Sequence, residues 1–188
     1  MAPAEATLMI AGLAQGPALN LLHRWGGQPL PLNASAWVYD YTATPAQNYL
    51  FLRLRGAVAA VETGVERIRK EVQALGAEAV EMDNAQATQD WRASNEHQLP
   101  FFTHAPSEED CLWRFSMPQT TPELELPYAQ YIEWHGGQRW LWAPSSQAVH
   151  LREVADKAGG HVTLFKTSAV HGDADKHAGV FTPLNGVQ

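Results

Sequence analysis

Residues 48–82 read NYLFLRLRGAVAAVETGVERIRKEVQALGAEAVEM. Their hydrophobic period changes twice. From Asn48 to Arg55, Leu50, Leu52 and Leu54 alternate with Phe51, Arg53 and Arg55, the period-two pattern of a strand with one face buried. From Val58 onward, Val58, Val61, Val65, Ile68, Val72 and Leu75 recur every three or four residues, with Glu62, Glu66, Arg67, Lys70 and Glu71 largely off the stripe, which predicts an amphipathic helix. Gly76 closes it, and Glu78 to Met82 predicts a further strand.

Working outward, the upstream segment predicts a strand at Thr7 to Ile10 and a helix from Gln15 to Trp25 that buries Ala18, Leu21, Leu22 and Trp25. Gly26-Gly27 ends this helix, and Pro29 and Pro31 prevent it from resuming. Ser35 to Tyr41 alternates Trp37, Tyr39 and Tyr41, and Thr44-Pro45 supplies the turn into the strand at Asn48. Strand, helix, strand, strand, helix, strand is the ferredoxin-like order.

Downstream, Asp83 is a helix cap before Gln86 to Gln98, a weaker helix carrying Ala87, Trp91 and Ser94 inward and stopped by Pro100. Cys111 to Met117 predicts a strand, Pro118 to Pro127 a link, and Gln130 to His135 with Gln138 to Ala143 a hairpin. Ser145 or Ser146 is positioned to cap a helix with Leu151, Val154, Ala155 and Ala158 on one face, ended by Gly159-Gly160 before a strand at His161 to Lys166. The expectation is an α+β fold: one antiparallel sheet with helices on one face, built from two ferredoxin-like halves, about 7–83 and 84–167, in a single domain 1–167. The polar segment 168–188 is expected to be a loose C-terminal tail.

With 188 residues, 45% of them hydrophobic, the chain is long enough to bury a substantial core. A net charge of −7 and the absence of any Lys/Arg-rich run argue against nucleic acid as a partner. No apolar run approaches the roughly 20 residues of a spanning helix, so no transmembrane segment is expected. A single cysteine, Cys111, excludes an internal disulfide framework, and cytoplasmic is the default location.

Candidate chemistry lies in the second half. Strand parity sets Arg114 against Trp113 and Phe115, and His161 against Val162, while Arg139 alternates with Trp140. Arg114, Arg139 and His161 are therefore candidates for one polar face. Two guanidinium forks suit a small carboxylate, and an imidazole can move a proton near neutral pH. Ordinary solvated strand residues are the alternative reading. The segment 112–142 holds four of the seven tryptophans, which are read as core and hairpin packing over ligand stacking. His171, Asp173, Asp175 and His177 stand at every second position but match no zinc spacing, so a solvated loop is read there and no metal. Cys111 is read as a small apolar residue. No Gly-rich phosphate loop, G-x-S-x-G elbow or H-E-x-x-H motif is present.

Four ordered segments carry a resemblance: R-W-G-G-Q-P-L-P-L-N-A-S-A-W from Arg24 to Trp37, W-R-F-S-M-P-x-T-x-P from Trp113 to Pro122, I-E-W-H-G-G-Q-R-W from Ile132 to Trp140, and A-G-G-H-V-T-L-F-K from Ala158 to Lys166. In these the chain resembles the FAD-binding subunits of bacterial glycolate oxidases, which are FAD-linked oxidases of the vanillyl-alcohol-oxidase type. The resemblance implies the cap/substrate domain alone, a sheet covering the flavin ring, because neither a Gly-rich FAD loop before Thr7 nor a terminal F-N-P-G-R type segment is found. FAD is then expected in the full-length parent and not tightly bound to this chain by itself. The implied partners are the flavin domain, other glycolate oxidase subunits and a small 2-hydroxy acid, and the bared sheet face also suits a homodimer. On that view Arg114 and Arg139 bind the substrate carboxylate and His161 is the catalytic base or a flavin-facing group. Two alternatives stay open: a non-catalytic subunit-interaction domain, and a free-standing ferredoxin-like small-molecule module.

Overall fold

The computed structural model describes residues 4–182. Eight strands form one antiparallel sheet: β1 Ala4–Ala11, β2 Leu32–Asp40, β3 Gln47–Gly56, β4 Ala79–Glu81, β5 Asp110–Ser116, β6 Gln130–Glu133, β7 Gln138–Pro144 and β8 His161–Lys166, in the order β4-β1-β3-β2-β6-β7-β5-β8. The helices are α1 Gln15–Gly26, α2 Val58–Gln73, α3 Asn84–Asn95, α4 Pro100–Thr103 and α5 Ala148–Lys157.

Each half is ferredoxin-like. The first four strands lie in the order 4-1-3-2, and β8-β5-β7-β6 repeats that order in the second half. The halves join where β2 pairs with β6, with Trp37 opposite Ile132. In the second half no helix stands between its first two strands, and the proline-containing link 117–129 takes that place.

Parity then sorts the core. Leu8, Ile10, Leu50, Leu52 and Leu54 face α1 and α2, meeting Leu22, Trp25, Val65, Ile68 and Val72. On the same side of the sheet, Trp113, Phe115, Val162 and Leu164 pack beneath Leu151 and Ala155 of α5. Truncating any one of these fully enclosed leucines to alanine should cost about 2–5 kcal/mol.

The connection between the halves runs across the other face. Ala87 and Trp91 of α3, with Phe101 and Phe102 of α4, cover Ala36, Val38, Tyr131, Trp140 and Trp142. The antiparallel α+β sheet is as expected, with α1, α2 and α5 sharing one face, but α3 and α4 cover the centre of the opposite one. The physical cause is that the central strands are apolar on both sides. Arg139 to Ala143 of β7 are all buried in succession, and only a strand covered twice reads that way.

The segment after β8 departs from the loose tail expected of 168–188. Asp175 is buried; its carboxylate accepts from Ser145 Oγ at 2.7 Å, Ser168 Oγ at 2.6 Å and Ser168 N at 2.9 Å. Burial alone would raise this carboxyl, but the serine donors hold it down at about 2. Ser145 is thus spent on Asp175 rather than on the helix end. Leu164 N donates to Val180 O, and Thr182 Oγ1 bonds both to Val162 N and to Val162 O, so the segment covers the outer edge of β8. Residues 183–188 of the expected tail lie outside the described residues. Among the described residues, no three metal-ligating side chains converge: Asp175 turns inward while Asp173 pairs with Lys176 at 2.7 Å.

Candidate functional site

The register between strands decides which of the predicted site residues meet. In the β5–β7 ladder Arg114 stands opposite Trp140, and Phe115 opposite Arg139. Across β5–β8, Arg114 stands opposite Thr163 and Ser116 opposite His161. Paired residues share a face, so Arg114 and His161 lie together while Arg139 lies on the side covered by α1, α2 and α5. The expected common face for all three is corrected here. Parity within each strand holds; the register between strands is off by one residue from what a shared face requires.

Arg139 is 1% exposed. Its guanidinium donates to Gly136 O at 3.1 Å, Pro122 O at 2.7 Å and Thr121 O. Burial pulls it down to about 10, opposed by the Glu123 carboxylate. Its polar contacts are backbone carbonyls, which tie the link 117–129 to the turn after β6.

Arg114 is half-buried and differently placed. Its guanidinium carbon lies 6.0 Å from the Trp140 ring centroid and 5.9 Å from that of Phe165. Eight of the nine arginines pair with a carboxylate or a backbone carbonyl: Arg24 and Arg67 with Glu71, Arg53 and Arg55 with Glu5, Arg69 with Glu81, Arg92 with Glu96, Arg139 as above, and Arg152 with Gly179 O. Among the described residues Arg114 alone has no such partner. Held over aromatic faces, its fork is free for an anion. His161 is exposed at the start of β8 on the same face.

Around this arginine the structure gathers residues that sequence reasoning did not single out. Glu133 is buried without a cation and accepts from Trp140 Nε1 at 2.8 Å, Gln138 Nε2 at 3.0 Å and Ser94 Oγ at 3.3 Å. Ser94 Oγ also meets Tyr131 Oη at 2.8 Å, and burial pushes the Tyr131 phenol up. These bonds fix the indole on which Arg114 rests. His97 closes the cluster, its ring centroid 4.8 Å from Trp140, 5.0 Å from Phe102 and 5.2 Å from Phe165. The one signal pointing to it was Pro100, which requires the chain to leave the helix just before it.

Two neighbouring features frame the face. Between α3–α4 and β1–β3 lies an apolar cavity of ≈ 360 Å³, lined by Met9, Val38, Tyr49, Phe51, Trp91 and Phe101 among others. After β6 the chain turns through Trp134, His135 and Gly136 at φ 50°, 56° and 107°. Ser35 supports this turn: its Oγ accepts from His135 N at 3.0 Å and bonds His135 Nδ1 at 2.8 Å, leaving the Trp134 side chain exposed.

No family model matches the chain, and no solved structure matches it. Over 168 residues the sequence is 33% identical to glycolate oxidase subunit GlcE of Escherichia coli (strain K12), covering 89% of this chain and 38% of that protein. The chain is a relative of GlcE. Because the match takes in nearly all of the chain, the likeness to GlcE extends over both ferredoxin-like halves. The chain spans well under half the length of GlcE. Among the described residues no helix is long and apolar enough to cross a membrane.

Proposed function

We propose that this chain is the substrate-cap domain of an FAD-dependent 2-hydroxy-acid oxidase or dehydrogenase of the glycolate oxidase type. In this reading the face bearing Arg114 and His161 is turned toward the flavin. The observation that carries it is Arg114, the arginine left without a polar partner among the described residues and braced over Trp140 and Phe165. A guanidinium in that state binds a small carboxylate in a bidentate fork with little reorganisation. His161, on the same face, is the candidate to take the hydroxyl proton. The relationship to GlcE supplies the reaction class.

The described residues do not fit the pyrophosphate of FAD. The residues preceding the longer helices are Ala14, Ala57, Asp83 and Gln147, with no glycine-rich loop at any of them and a carboxylate at one. The flavin in this reading is held by sequence outside this chain, and this chain contributes carboxylate binding, orientation and exclusion of water. Partners are accordingly a flavin domain and the other oxidase subunits.

The test is a protein that joins this chain to a GlcE-type flavin domain. A bound flavin spectrum that bleaches with glycolate or D-lactate supports the proposal, and Arg114→Ala should raise the apparent KM about 10- to 100-fold, the effect of losing a charge-assisted contact. An unchanged KM removes Arg114 from the site. A colourless protein favours instead a subunit-interaction domain, a reading to which the 67% exposed Trp134 on its left-handed turn lends support.

A further inference from the structure

His97 occupies a backbone position that this chain otherwise gives to glycine. At the end of α3, His97 N donates to Ser94 O at 3.1 Å and Gln98 N to Ala93 O at 2.8 Å, the paired bonds of a Schellman motif. The same two bonds end α2 at Gly76 and α5 at Gly159, whose φ values are 77° and 74°. His97 adopts φ 54° with a Cβ in place. That conformation is uncommon outside glycine, and histidine, with asparagine and aspartate, is among the side chains that adopt it most often; here it carries the imidazole into the aromatic cluster.

The ring is held edge-on by Trp140, Phe102 and Phe165, and two of these, Trp140 and Phe165, also carry the Arg114 guanidinium. Neither ring nitrogen has a hydrogen-bond partner among the described residues, and the residue is only half-buried. An oriented imidazole with free nitrogens therefore flanks the same two aromatic rings as an oriented guanidinium with a free fork. A lone guanidinium recognises any carboxylate; a second polar group at a fixed offset distinguishes a carboxylate bearing an adjacent oxygen.

Resting on the reading of Arg114 as a carboxylate anchor, we propose that His97 is a binding residue for the 2-oxygen of a small 2-hydroxy- or 2-oxo-carboxylate, and so sets the preference for that class over plain carboxylates. The 188-residue chain prepared without flavin allows this to be tested without turnover, by NMR titration with glycolate and with acetate as probes. The wild type should bind glycolate about 3- to 10-fold more tightly than acetate, the contribution of one neutral hydrogen bond. His97→Asn suits the left-handed backbone and should bring that ratio close to one while leaving acetate binding in place. His97→Gly should do the same, and in both variants the thermal midpoint reports that the fold persists. Arg114→Ala should lose both ligands. A glycolate preference that survives in His97→Asn, with Arg114→Ala still abolishing binding, overturns the role of His97 and spares that of Arg114. A wild type that responds to neither probe overturns both.

Discussion

Arg114 and Arg139, in neighbouring strands, point to opposite faces of the sheet, because Arg114 is paired with Trp140 and Arg139 with Phe115. The two guanidiniums consequently do different work. Arg139→Met should destabilise the fold by about 2–4 kcal/mol, since it strands two buried carbonyls, those of Thr121 and Gly136, and the partly buried carbonyl of Pro122. Arg114→Met, which breaks no hydrogen bond among the described residues, should stay within about 1 kcal/mol of the wild type. Urea unfolding of the two variants side by side checks this, and equal losses would refute the division of roles.

The strands and helices were legible because their periods are clean: Leu50, Leu52 and Leu54 could only face one way, and Val61, Val65, Ile68 and Val72 could only form one stripe. The site was less legible. Which side Arg114 takes relative to Trp113 follows from parity, but whether it shares a face with Arg139 depends on a one-residue register between strands far apart in sequence, which no local pattern encodes. His97 and Glu133 were invisible for a related reason. Their roles come from contacts with Trp140, 43 and 7 positions away in the numbering, and from a backbone conformation that sequence suggests only when the residue is glycine.

Asp175 binds the segment after β8 to the body of the domain through Ser145 and Ser168. Its carboxyl falls from an ordinary value of 3.8 to about 2 in the folded chain, so the carboxylate form stabilises the fold. That contribution is fully present above about pH 4 and is lost as pH falls through about 2. Asp175→Asn should therefore lower stability by about 1–3 kcal/mol at neutral pH. The gap to wild type should close on acidification from about pH 4 toward about pH 2. A gap independent of pH in denaturation curves would contradict this.

Cys111 has no exposed surface, and burial together with the nearby Asp175 carboxylate pushes its thiol up to about 12. The thiolate that thiol reagents need is therefore both scarce and shielded. A chromogenic disulfide reagent at about pH 8 should leave the native protein unmodified and titrate one thiol after denaturation. Rapid labelling of the native protein would show that the strand opens.

The turn at Trp134–Gly136 is held chiefly through Ser35, whose hydroxyl serves both the backbone N–H and the Nδ1 of His135. Burial lowers the His135 imidazole below its ordinary 6.5, so the fold prefers it neutral while the unfolded chain protonates it readily. The unfolded state then binds more protons below about pH 6.5, and stability contributed by this residue declines as pH falls through that value. Asn tolerates the left-handed backbone at this position, so His135→Asn should remove the pH dependence while preserving the turn. Ser35→Ala should cost about 1–3 kcal/mol at neutral pH by leaving the His135 N–H and Nδ1 unmatched. Thermal midpoints recorded from about pH 8 to about pH 5 separate these effects: the wild type should lose stability over that span, and His135→Asn should lose measurably less. Equal slopes in the two proteins would mean that His135 titrates alike in the folded and unfolded states.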